Sequence, residues 1–131
     1  MSDTPADLRY TSDHLWVSRR SESQVRIGVT DFAQQSLGDV VEVSPPGPGT
    51  AIEAGQACGD IESVKSVSDL IAPVSATVSD KNGSLASAPE LVNSDPYGEG
   101  WMFDAEAEPS VLNQQLAELL DASAYRALTG E

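Results

Sequence analysis

Apolar positions along this chain alternate over its first two thirds and change period near the end. Leu15-Trp16-Val17 and Val25-Arg26-Ile27-Gly28-Val29 are short β-rich runs separated by polar residues 19–24, the pattern of a hairpin. Thr30-Asp31 then offers a helix N-cap for residues 32–37 and Gly38 a stop, which predicts one or two turns of helix. Val40-Val41-Glu42-Val43 resumes strand, and Ser44-Pro45-Pro46-Gly47-Pro48-Gly49 must be turn or loop. Residues 57–64 lead into Lys65 and residues 66–71 lead out, predicting two strands joined by a turn with Lys65 at its middle. Pro73 breaks that run, and Val74-Ser75-Ala76-Thr77-Val78 alternates as a further strand. Asn82-Gly83 signals a tight turn. Residues 94–100 read as a loop entering a short strand at Trp101-Met102-Phe103.

Beyond residue 108 the spacing is helical. Leu112, Leu116, Leu119 and Leu120 fall at i, i+4, i+7 and i+8 on one face, with Pro109 tolerable in the first turn and Ser110 as a cap. A second helical turn is expected over residues 123–128. Such a helix would cover one end of a β core. Short strands, 10 Gly, 8 Pro and a terminal helix together predict a mainly β sandwich or barrel with helical caps. At 131 residues this is one domain, 1–131, with its core over about residues 8–105 and a helical segment over about residues 109–129.

Charge removes several function classes. With 21 acidic against 7 basic side chains the formal charge is -14, so non-selective binding to nucleic acid or to an anionic membrane is not expected. No apolar run approaches membrane-spanning length, and residues 1–7 have neither the basic nor the apolar region of a signal peptide. The chain is expected in the cytoplasm. One cysteine, Cys58, excludes an internal disulfide, and its setting between Ala57 and Gly59 reads as a small apolar strand residue.

Enzyme chemistry is not visible. The single histidine, His14, excludes a multi-histidine metal site, and beside Leu15-Trp16 it reads as a surface or satisfied structural side chain. Nucleophile elbows and phosphate-binding glycine motifs are absent from the sequence. Asp60 and Glu62 alternate on a strand and share a face, as solvated carboxylates do. Lys65 stands apart, in Glu62-Ser63-Val64-Lys65-Ser66-Val67-Ser68-Asp69. An exposed lysine with pKa near 10.4 is a poor intrinsic nucleophile, and nearby Glu62 and Asp69 would favour its charged form further. It suits an acceptor that another enzyme acylates.

That context resembles a known family. His14-Leu15-Trp16-Val17, residues 27–34, Leu37-Gly38-Asp39-Val40-Val41, residues 59–70, Ala72-Pro73-Val74-Ser75 and residues 90–101 closely resemble glycine cleavage system H proteins. The blocks cover nearly the whole chain. The resemblance implies a flattened barrel-sandwich hybrid, of the lipoyl and biotinyl carrier type, with a short helix and a C-terminal helix. It implies (R)-lipoate in amide linkage on Lys65, with no catalysis by the chain itself. Implied partners are a glycine decarboxylase (P protein), an aminomethyltransferase (T protein), a dihydrolipoyl dehydrogenase (L protein) and a lipoylating enzyme, the carrier being a monomer when free. Glu62 and Gly49 match positions associated in the family with recognition by lipoylating enzymes. Asp69 and His14 match a cleft that holds the aminomethyl-loaded arm. Two positions depart from the family pattern: Leu15 stands where a second carboxylate is common, and Ala76 replaces a common glycine. The first bears on how tightly the loaded arm is parked.

Other swinging-arm carriers also place an acylated lysine on a hairpin. Biotin domains usually flank it with methionines and 2-oxoacid dehydrogenase domains usually carry Asp-Lys-Ala, whereas Val64 and Ser66 flank Lys65 here. A lipoate-relay role remains open on sequence.

Overall fold

A computed structural model describes residues 3–130. Nine strands are present among them: β1 (Arg9–Tyr10), β2 (Leu15–Arg19), β3 (Gln24–Val29), β4 (Val40–Ser44), β5 (Ala51–Ile52), β6 (Ala57–Ser63), β7 (Val67–Ile71), β8 (Ala76–Lys81) and β9 (Phe103–Glu106). They form a six-stranded sheet in the order β1-β2-β3-β9-β8-β5 and a three-stranded sheet in the order β4-β6-β7. All pairings are antiparallel.

One core cluster joins the two sheets. Leu15, Val17 and Ile27 point into it from the large sheet, and Val40, Ile61 and Leu70 from the small one. No strand pairing links the sheets among the described residues, so the expected barrel-sandwich is present as two sheets over a shared core rather than a closed barrel. Alternation explains this directly. A strand buried on one face contributes every second side chain to the interior and leaves the others for solvent or the chain termini.

The helix predicted after β3 is α1 (Asp31–Leu37). Thr30 Oγ1 accepts the Ala33 N–H, and Gly38, at φ 78°, ends the helix in a conformation that costs a residue with a Cβ. Two expectations need correction. Asn82-Gly83 does not form a hairpin turn: Asn82 caps a 3-10 helix, Gly83–Ala86, and its side-chain amide donates to the carbonyls of Glu99 and Trp101. A short α2 (Leu91–Ser94) follows.

The second correction concerns the terminal leucines. α3 (Pro109–Glu118) has Pro109 in its first turn, but its cap position is Glu108, without a side-chain hydrogen bond, and Ser110 lies inside the helix. Leu112 is fully buried, while Leu119 and Leu120 have left the helix. Leu120 pairs with Tyr10 through two backbone hydrogen bonds, 2.8 and 2.9 Å long. α4 (Ala122–Thr129), capped by Asp121, then packs Tyr125 and Ala122 against Tyr10 and Trp16 on the outer side of the large sheet. Trp16 lies across Gly28 on the neighbouring strand: a Cβ there would meet the indole at 2.7 Å.

Candidate functional site

Lys65 occupies the tip of the β6–β7 hairpin, and Ser63 builds that tip. Two-residue hairpin loops normally take residues of positive φ, often Asn-Gly. Here Val64 and Lys65 form the loop without positive φ, since His14 is the only non-glycine with that sign among the described residues. The buried Ser63 hydroxyl compensates by accepting the N–H groups of both Lys65 and Ser66 at 3.2 Å. Ser63 N–H donates to the Ser66 carbonyl at 2.8 Å, and Val64 N–H donates to the Asp39 carbonyl at 3.0 Å. The loop is therefore pinned on both flanks while the lysine side chain stays exposed.

Its ammonium donates to the Ser36 carbonyl at 2.9 Å. Ser36 lies in the last turn of α1, where carbonyls lack helical partners and the helix dipole is negative. Ser36 also borders a cleft of about 190 Å³ between α1 and the small sheet. Leu15 and Val29 line the cleft from the large sheet, Ile61 and Leu70 from the small one. Asp69 stands at its rim. Directly opposite Asp60, Asp69 shares the outward face of the small sheet, but β7 is an edge strand and so borders the opening. Apolar walls with a carboxylate at the mouth, bordered by the same Ser36 that the lysine reaches, have the chemistry to favour an aliphatic group with a cationic end.

His14 faces the same cleft. Its backbone is left-handed, at φ 69°, held by His14 N–H donating to the Thr11 carbonyl and Thr30 N–H donating to the His14 carbonyl. The ring lies 4.9 Å from that of Phe32, and Nδ1 is 2.8 Å from the Tyr125 hydroxyl. Burial lowers its pKa, opposed by the nearby Asp13 carboxylate.

Glu62 is on the same strand as Ser63 but turns away from the cleft, opposite Glu42 on β4 and Val67 on β7. The outward face of the small sheet thus carries Asp60 opposite Asp69 and Glu42 opposite Glu62, with no lysine or arginine on its three strands. Val64 and Val67, two of the most exposed large apolar side chains, flank Lys65. Gly49 lies elsewhere, in the loop before β5, where its N–H donates to the Val78 carbonyl and its φ of 89° accounts for the glycine. Lys81, the second lysine, is on the other sheet opposite Phe103. Cys58 is half-buried and its thiol is pushed up to about 11 by burial, as an inert strand residue should be. No group of three or more potential metal ligands exists among the described residues, and none of their helices is long and apolar enough to cross a membrane.

Sequence reasoning missed Ser63, Ser36 and Tyr125. Only Ser63 left a local signal, a serine two residues before a turn position.

A family model described as "Glycine cleavage H-protein" matches residues 8–131. The chain belongs to this family. It is 55% identical to the glycine cleavage system H protein of Mycolicibacterium smegmatis over the full length of both chains. The H protein of Mycobacterium tuberculosis (strain H37Rv) is 53% identical over 129 residues, 96% of each chain. A crystal structure of the H protein of Mycobacterium marinum matches with a TM-score of 0.85 and 38% identity, covering 97% of this chain and 99% of that one. The two-sheet arrangement with its Lys65 hairpin is therefore an H-protein fold.

Proposed function

We propose that this H-protein chain is the lipoyl carrier of a glycine cleavage system, holding (R)-lipoate in amide linkage on Lys65 and doing no catalysis itself. The observation that carries the reading is Lys65 on a rigid, exposed hairpin tip beside an apolar cleft rimmed by Asp69. Lipoate held in amide linkage on Lys65 would supply a redox-active disulfide able to carry an aminomethyl group on one sulfur.

The chain's own residues supply everything else. Ser63 and the Val64–Asp39 bond fix where the arm starts, so its free end sweeps a defined volume at high effective concentration for each partner. Leu15, Val29, Ile61 and Leu70 offer apolar surface for the arm, and the Asp69 carboxylate accepts from a cationic cargo. Glu62 presents a carboxylate three residues before the acceptor lysine, suited to a lipoylating enzyme, and Gly49 belongs to the same recognition proposal. Between encounters the carrier is a monomer in the cytoplasm.

Reconstitution tests the reading. Lipoylated protein combined with the decarboxylase, aminomethyltransferase, dihydrolipoyl dehydrogenase, glycine, NAD and tetrahydrofolate as the acceptor of the methylene group should release CO₂ and ammonia and reduce NAD, and Lys65→Arg should abolish all three. A lipoylated protein that supports none of them would instead favour a relay role.

A further inference from the structure

Four strands stand at the ends of the two sheets, and three of them are blunted. β1 and β5 are two residues long, and β1 is bridged by Leu120. β4 carries a register shift between Val40 and Glu42 and runs into Pro45-Pro46. β7 is different. Val67-Ser68-Asp69-Leu70-Ile71 is five residues without proline or lysine, and the register shift in its pairing lies on β6, between Ala57 and Gly59. An edge of this kind presents unpaired N–H and C=O groups to any chain that arrives. Which residues present them is fixed at both ends of the strand. The Ser66 carbonyl accepts from Ser63 N–H at 2.8 Å, and Ala72 N–H donates to the Gln56 carbonyl at 2.9 Å, so the even-numbered residues turn toward β6. Val67, Asp69 and Ile71 therefore turn their backbone groups away from the sheet. Val67 and Asp69 are exposed, and β6 is the element that β7 packs along.

We propose that the β7 edge is a docking site for the lipoylating enzyme, which lays an extended segment of its own along it as a fourth strand of the small sheet. This deepens the carrier reading above and rests on it. An enzyme that acylates the unmodified chain meets no arm, so it must select Lys65 over Lys81 from polypeptide surface alone. β7 begins two residues after Lys65, and the turn between them is pinned by Ser63, so a strand on this edge lies at a set distance from the acceptor amine. In strand addition the backbone hydrogen bonds give affinity and alternate side chains give selection. Val67, Asp69 and Ile71 project from one face, with Glu62 directly opposite Val67 and Asp60 directly opposite Asp69. The matching segment therefore carries an apolar, a basic and an apolar residue at alternate positions, the basic one beside Asp69. The same carboxylate disfavours a second copy of this chain. In the antiparallel register that uses all three residues, 67 faces 71 and the Asp69 carboxylates of the two copies meet as like charges.

Amide hydrogen exchange of the unlipoylated protein, read by NMR with and without a saturating lipoylating enzyme, tests this residue by residue. In the free protein Val67, Asp69 and Ile71 should exchange fast, while Ser68 and Leu70 are protected by β6. With the enzyme the first three should slow by about fivefold or more, the factor that one net hydrogen bond supplies. Val67→Pro removes an outward N–H and leaves the β6 ladder intact, whereas Val67→Ala removes the side chain and keeps that donor. The proline variant should therefore be lipoylated with a KM about fivefold above that of the alanine variant, the difference falling chiefly in KM rather than kcat. No slowing at the three odd-numbered amides, equal KM in the two variants, or protection of those amides by self-association in the free protein would each overturn the proposal. Should Val67→Pro lose the Leu70 protection that marks an intact hairpin, the alternating pattern in wild type decides alone. Wild type that is lipoylated on Lys65 while its β7 edge stays unprotected strikes the docking site only. Wild type that accepts no lipoate on Lys65 strikes the carrier reading instead.

Discussion

The ammonium of Lys65 is tied to the carbonyl of Ser36 across 2.9 Å, which joins the hairpin tip to the last turn of α1 and to the wall of the cleft. The contact is exposed, and its energetic weight is small. Lys65→Arg should therefore change unfolding free energy by less than about 0.5 kcal/mol, as a surface substitution does. Urea unfolding checks this. A loss of several kcal/mol would make Lys65 a structural residue rather than a presented one.

Ser63 carries more. Its buried hydroxyl satisfies two loop N–H groups that a turn of negative φ cannot otherwise pair. Ser63→Ala should cost about 1–2 kcal/mol and leave the Val64-Lys65 loop mobile. The same variant should be lipoylated more slowly at unchanged acceptor chemistry. Hydrogen exchange at Lys65 and Ser66, measured with the lipoylation rate, tests both parts together.

Gly28 is a packing requirement. Its absent Cβ makes room for the Trp16 indole, whose N–H donates to the Pro96 carbonyl at 3.0 Å. Gly28→Ala should destabilise by about 1–3 kcal/mol through overpacking and shift the tryptophan fluorescence. Unchanged fluorescence and midpoint would mean that the indole has room to move.

His14 gives the protein a pH dependence of known sign. Its pKa is lowered on folding, chiefly by burial, below the ordinary 6.5. The unfolded chain therefore binds more protons in the window between the folded value and 6.5, so stability falls as pH drops through that window. Carboxylates titrate at lower pH and would blur a single curve, so the useful quantity is the difference between wild type and His14→Asn. Asparagine tolerates the left-handed backbone and does not titrate. That difference should begin to fall as pH drops through about 6.5 and be flat well above it.

Salt should act in opposite directions on the free protein and on its encounters. Carboxylates meet directly across strands as Glu42–Glu62 and Asp60–Asp69, and the whole chain carries -14. Raising salt from about 0.02 to about 0.5 M shortens the screening length from roughly 20 to roughly 4 Å. The free fold should gain stability while association with basic partner surfaces slows. Partner association rates that ignore salt would remove the steering role of this charge.

Much of this molecule is legible from neighbouring residues alone. Thr30 and Gly38 bracket α1 because capping and positive φ are local demands, and Lys65 falls in a turn because alternation stops on either side of it. Apart from the Ser110 cap, which is a local error, the misreadings come from contacts distant in sequence. Periodicity assigns Leu120 to a helix, but a backbone bridge to Tyr10 takes it out. Asn82-Gly83 has the composition of a hairpin turn, yet the Asn82 amide is claimed by carbonyls 17 and 19 residues away. His14 reads as a routine side chain until Tyr125 arrives from the far end of the chain.

The account stands most directly on peptide mapping by mass spectrometry after exposure to a competent lipoylating enzyme and lipoate. The chain has two lysines, so the outcome is a choice between two peptides. A single lipoyl adduct on the peptide containing Lys65, with Lys81 untouched, is the predicted result. An adduct on Lys81, or an unmodified Lys65 under conditions that lipoylate another carrier, would contradict it.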